Sequence, residues 1–164
     1  MSWTKAGLWL CFFLGAKASV ACDGDVLLAC DMAGSSKQLE TCLIGDRVRY
    51  AFGAADMPDL VLERHVRDVL YEPWPGVGRS IWHVTGFQVD DITYRVFLNI
   101  DRLSDPPGAQ SAGVIVEQNG EELARLDCDP ATIRGAGDPS PVFFAKEKAG
   151  QVYDRDGQVW RDLR

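Results

Sequence analysis

One stretch limits the architecture more than any other. From Ile92 to Ile100 every second residue is large and apolar: Ile92, Tyr94, Val96, Leu98 and Ile100. A period of two puts all five on one face of an extended strand, whereas a helix would scatter them around its circumference. The pattern recurs. Val48, Tyr50 and Phe52 alternate with Arg47 and Arg49, and Gly53 ends the run. Val26–Cys30 and Leu39–Ile44 are strand-like on either side of a turn-rich loop. Asp90-Asp91 marks a turn between Ser80–Gln88 and the strand that begins at Ile92. Gly113–Glu117 and Glu122–Cys128 flank Asn119-Gly120, the strongest short hairpin signal, because both residues tolerate positive φ. Cys128 is in register with Ala124 and Leu126 and is expected to face inward. The predicted fold is all-β: a mainly antiparallel sandwich or barrel over residues 22–130, disulfide-linked, with minor helical turns.

Two segments are less plain. Leu62, Val66, Val69 and Leu70 have helical spacing, with Pro58 near a helix start, yet Leu60-Val61-Leu62 reads as a strand. The preferred reading is two short strands, or a strand and one helical turn. Residues 131–164 read as a loop and tail packing on the domain. There Asp156-Gly157 lies between Val152-Tyr153 and Val159-Trp160 and suggests a small hairpin.

The first 21 residues read as an export signal. Lys5 precedes the apolar run Ala6–Ala16, and small residues follow. The run is too short to span a bilayer, which takes roughly 20 residues. Cleavage is expected after Ala21, with Ala18 as the alternative, placing the mature protein in the bacterial periplasm or outside the cell. A cysteine at the first mature position, Cys22, opens the alternative of a lipid anchor, although Ser19 stands where lipoprotein signals carry Leu.

Of the five cysteines, Cys11 leaves with the signal. Cys22, Cys30, Cys42 and Cys128 remain, an even set that implies two disulfides in an oxidising compartment. Cys30 opposite Cys42 across a hairpin, with Cys22 joined to Cys128, is the preferred pairing. The alternative joins Cys42 to Cys128 and leaves Cys22 to Cys30 or to a lipid. No Cys-x-x-Cys is present and only His65 and His83 could add imidazole, so neither a metal centre nor a cofactor is expected.

Charge narrows function. The 164 residues carry a net charge of −7, which argues against a nucleic-acid binder. Residues 1–21 hold Lys5 and Lys17 and no acid, so from residue 22 onward the net charge is −9. Such a chain is steered toward basic partners. Catalytic signatures are missing: no Gly-x-Ser-x-Gly, no His-Glu-x-x-His and no phosphate-cradling loop. His65, His83, Asp90, Asp91, Asp101 and Asp105 are explained by strand, turn and cap roles. A small cell-envelope hydrolase using Asp91 or Asp101 is the alternative to a binding protein, and a structural envelope protein is a third.

The segment Glu72–Trp82 stands apart. Pro73 and Pro75 stiffen it, Gly76 and Gly78 allow tight turns, and Trp74, Arg79 and Trp82 are residue types that dominate binding hot spots. Trp74, Arg79, Ser80 and Trp82 are therefore the candidate binding residues. The competing reading is that Trp74 and Trp82 plug the end of the barrel, with Arg79 ion-paired to a nearby acid.

In these motifs the chain resembles a group of small exported bacterial proteins of unassigned function. The shared features are Lys37-Gln38-Leu39 with Cys42-Leu43, Tyr50-Ala51-Phe52-Gly53, Pro73–Trp82, Asp101-Arg102 and Leu126–Pro130. That resemblance implies export and no activity. A fainter one is to periplasmic lysozyme inhibitors, small exported β proteins that insert a Ser-Gly loop into a lysozyme cleft. Gly78-Arg79-Ser80-Ile81-Trp82 departs from that loop, since no Gly follows Ser80 and Trp82 stands where Tyr is usual. What it implies is an inhibitor-type module with a basic enzyme such as lysozyme as partner.

Overall fold

The structure is a computed structural model that describes residues 22–135 and 140–163. The export signal expected over residues 1–21 lies outside them.

Alternation turns into hairpins wherever a turn signal interrupts it. Strands β1 (Asp25–Asp31), β2 (Gln38–Ile44), β3 (Arg47–Ala54) and β4 (Met57–His65) form one antiparallel sheet in chain order. A 3₁₀ turn, Val66–Asp68, carries the chain to the second sheet. That sheet comprises β5 (Leu70–Glu72), β6 (Ser80–Val89), β7 (Ile92–Asp101), β8 (Ala109–Gln118) and β9 (Glu121–Asp127), again in chain order. The all-β reading holds, including the strand–turn–strand solution for residues 57–72. At the β8–β9 turn Asn119 and Gly120 have φ of 52° and 85°, the two positive values that such a hairpin demands.

Register decides which side chains meet. Directly paired residues share a face, so Thr41↔Tyr50 and Tyr50↔Leu62 point the same way from the first sheet. Phe87↔Tyr94, Val96↔Val114 and Leu98↔Ala112 do so from the second. These two faces form one core. The Tyr50 ring lies 5.4 Å from that of Phe87 and 5.8 Å from that of Tyr94. Burial pushes its phenol well above the ordinary range. Each such fully buried side chain contributes about 1.5–3 kcal/mol. The β9 strand departs from the expected inward register: all its residues are exposed, Ala124 and Leu126 included, and only Cys128 beyond it is buried.

The disulfides correct the expected pairing. They join Cys22 to Cys42 and Cys30 to Cys128, with Cα separations of 6.1 Å and 5.8 Å. Neither the Cys30–Cys42 hairpin bridge nor the Cys42–Cys128 alternative forms. Cys30 pairs with Leu39 in register, and Cys42 lies an odd number of residues further along β2, so the two sulfurs leave opposite faces of the sheet. Cys30 faces the core. There the Met32↔Cys128 bridge brings it beside the end of β9. Cys42 faces outward, where Cys22 is bonded to it.

The tail contains a helix that the sequence reading did not foresee, α1 (Ser140–Lys148), followed by the expected hairpin of β10 (Gln151–Asp154) and β11 (Val159–Asp162). Pro141 suits the first turn of a helix, and Gly150, with φ of 84°, closes it through its amide to the Glu147 carbonyl. The residues of α1 buried most deeply are Val142 and Lys146, one helical turn apart. The Lys146 ammonium donates to the carbonyl of Val66 at 2.7 Å and to Gln151 Oε1 at 3.1 Å, and lies 5.3 Å from the centre of the Trp160 ring. Trp160 Nε1 in turn donates to the Tyr71 carbonyl at 2.8 Å, fastening the tail to the second sheet. No helix among the described residues is long and apolar enough to cross a membrane.

Candidate binding surface at the loop end

β6 begins where β7 ends and β8 begins, because Ser80 pairs with Asp101 and Asp101 with Ala109. The 73–79 and 102–108 connections therefore emerge side by side. Arg79 fastens one to the other. Its Nε lies 3.0 Å from each Asp101 carboxylate oxygen, and its Nη2 donates to Oδ2 at 2.7 Å. This pairing holds the Asp101 carboxyl below its usual range, aided by the Leu103 amide, and raises the guanidinium. Arg102 works in the reverse direction. It donates to the carbonyls of Gly78 and Arg79, and its guanidinium lies 5.2 Å from the centre of the Trp74 ring. Ser104 Oγ lies 3.0 Å and 2.8 Å from the carbonyls of Asp101 and Pro106, which share its one proton, and accepts from the Ala109 amide, closing the second loop on itself.

The four residues singled out by the sequence do not form one tip. Arg79 is paired with Asp101, as the alternative reading expected. Ser80 is the first residue of β6. Trp82 pairs with Asn99, and both point away from the core on the outer face of the second sheet, where Trp82 is half-buried. Trp74 is half-buried beside the loop, its Nε1 donating to the Val77 carbonyl at 2.8 Å. The exposed large apolar residues of the two loops are instead Val77 and Leu103, one in each and each 71% exposed. The sequence reading missed both. Their signal was an apolar residue stranded between turn formers, Pro-Gly-Val-Gly in one loop and Leu-Ser-Asp-Pro-Pro-Gly in the other.

The residues considered for catalysis lie apart. Asp91 precedes β7 and Asp101 ends it, which at about 3.3 Å per residue separates them by about 30 Å. Asp91 accepts from Gln118 Nε2 at 2.7 Å. His65 Nδ1 accepts from the Arg67 amide at 3.2 Å, and its Nε2 lies 3.3 Å from Asp46. His83 is buried, its ring 6.1 Å from that of Tyr71. Among the described residues no three His, Cys, Asp or Glu side chains gather as a metal site would require.

No family model, curated protein or solved structure matches the chain. Its function has to be read from the surface itself.

Proposed function

We propose that the protein is an exported, non-catalytic binding module of the inhibitor type, with the paired loops 73–79 and 102–108 as its contact element. The observation that carries this reading is the combination of a fastened base and an apolar tip. Two crossed arginines, Arg79 and Arg102, hold both loops, while Val77 and Leu103 stand in water. Ordering is thus complete before binding, so burial of the tip is not offset by loop entropy. Two disulfides support export, since such bonds persist in oxidising compartments. A charge of −9 from residue 22 onward supports a basic partner, a lysozyme among them.

Calorimetric titration of residues 22–164 into a strongly basic lysozyme tests this. We expect saturable, salt-sensitive binding, weakened about thirtyfold or more when Val77→Asp and Leu103→Asp are combined, as for loss of hot-spot anchors. Absence of binding, or a folded double variant that binds unchanged, would dismiss the reading.

A further inference from the structure

A second concavity lies where the Trp74 loop meets the tail. Pro73, Trp74 and Pro75 form one wall, and Phe143 of α1 and Tyr153 of β10 the other. Arg155 and Gln158, from the β10–β11 turn, stand at its rim. The cavity measures about 90 Å³.

Both walls are braced by contacts behind them. Trp74 is tied to the Val77 carbonyl on one side and lies under Arg102. Phe143 packs edge-on to Tyr153 at 6.4 Å and to Trp160 at 5.0 Å, and Trp160 is anchored to Tyr71. An apolar cavity of about 150 Å³ takes up benzene whole. This smaller one accommodates a single flat ring, whose polar substituent stays at the mouth.

The charges at the mouth choose the substituent. Aromatic walls alone would favour a cation. Here, however, two acids next in sequence to the lining residues are already matched. Glu72 pairs with Arg95 at 2.9 Å, and Asp154 pairs with Arg161 at 2.7 Å while capping the turn amides of Asp156 and Gly157. Asp156 is in the same turn but does not line the cavity. Arg155 is exposed and has no hydrogen-bond or ion-pair partner among the described residues. An unpaired guanidinium beside an aromatic well repels cations and offers a carboxylate two donors in one plane. The Tyr153 phenol is a further neutral donor, and burial raises it from its ordinary value. Gln158, with a φ of 52°, adds an amide to the lining.

We infer that the cleft between Trp74, Phe143 and Tyr153 is a binding site for a small organic anion built on one flat ring, its carboxylate received by Arg155. The ligand is either a free arylcarboxylate or the aromatic residue at a peptide's C-terminus, which present the same chemistry. This site shares Trp74 with the loop element but needs no protein partner at Val77 and Leu103.

Phenylacetate and N-acetyl-phenylalanine are the probes, with phenylacetamide and N-acetyl-phenylalaninamide as neutral controls. Each is titrated into ¹⁵N-labelled protein and read by amide shifts. At least one acid should saturate with a Kd of about 1 mM or tighter. Shifts should be confined to residues 73–75, 143 and 153–158, and the matching amide should bind at least tenfold more weakly. Saturation by N-acetyl-phenylalanine alone identifies a chain terminus as the source; saturation by phenylacetate identifies a free acid. Arg155→Gln, a surface change that leaves the fold intact, should reduce the acid to the affinity of its amide. The Val77→Asp, Leu103→Asp variant should bind the probes unchanged, which separates failure of this site from failure of the loop tip. Equal binding of acid and amide, an unaffected Arg155→Gln variant, shifts elsewhere on the protein, or no binding by either acid overturns the inference.

Discussion

Asp101 joins two loops that have no direct covalent link. Its carboxylate accepts from both Arg79 and the Leu103 amide. Exposed ion pairs contribute little to global stability because water screens them and side-chain entropy opposes them. Asp101→Asn should therefore leave the thermal midpoint within the small range of surface substitutions while loosening the tip. Hydrogen exchange is the measurement: amides 102 and 103 should lose protection with those of the strands unchanged. Because the folded carboxyl ionises below its usual range, this loop order is present at neutral pH. It should survive mild acid and disappear only as pH falls through the depressed value. Equal protection in the variant would mean that Arg102 and Ser104 hold the loops without Asp101. Gly113 shows a residue acting through what it lacks. A Cβ there would strike the Leu126 carbonyl and the Phe97 ring, so only glycine lets β9 close on β8 beneath that ring.

At the scale of elements, α1 is held by an amine rather than by an apolar stripe alone. Lys146 is 1% exposed, and burial lowers its pKa to about 8. An unfolded lysine titrates near 10.4, so between about pH 8 and pH 10.4 the unfolded chain binds the extra proton. Stability contributed by this group therefore rises with pH across that window, and at pH 7 the cost of burying the charge is fully present. Relative to a Lys146→Met variant, the wild-type thermal midpoint should climb from pH 7.5 to pH 10. A relative fall would show that the bonds to Val66 and Gln151 favour the charged form more strongly than burial disfavours it. The sheet edges are managed differently. The β4 strand carries Pro58 near its start, and β9 carries Glu121, Glu122 and Arg125, features that discourage edge-to-edge pairing.

Across the whole molecule the two disulfides do unequal work. The Cys30–Cys128 bond joins the first strand of one sheet to the end of the last strand of the other, with a sequence separation of 98. On the chain-entropy account such a loop contributes about 4–5 kcal/mol, against about 3 kcal/mol for Cys22–Cys42 with its separation of 20. Domains are stable by only about 5–15 kcal/mol, so the first bond is a large share. Urea unfolding of paired Cys→Ala variants should show the greater loss for Cys30/Cys128. The reverse order would mean that the core centred on Tyr50 and Phe87 holds the sheets without it, and that the N-terminal strap matters more.

Local pattern was enough for the strands. The alternation in Ile92–Ile100, the Asn119-Gly120 turn and the Asp156-Gly157 hairpin are all set by short-range sterics and a period of two, so they were legible before any contact was known. That four cysteines form two disulfides was legible too, but not their pairing. That depended on a register in which Cys30 and Cys42 leave opposite faces of one sheet, a parity that spacing in sequence does not reveal when a loop of uncertain geometry intervenes. Helix α1 was hidden because one of its buried positions is Lys146, whose shortest hydrogen bond goes to the Val66 carbonyl, 80 residues away. The candidate site was half visible. Trp74, Arg79, Ser80 and Trp82 were identified by type, yet tertiary packing sent Trp82 to a sheet face, bound Arg79 to Asp101 and put Val77 and Leu103 at the tip. Residue chemistry determined what each side chain could do. Only the register of β6 on β7 and the docking of the tail decided which of them stand together, because those depend on burying a shared core rather than on any local preference.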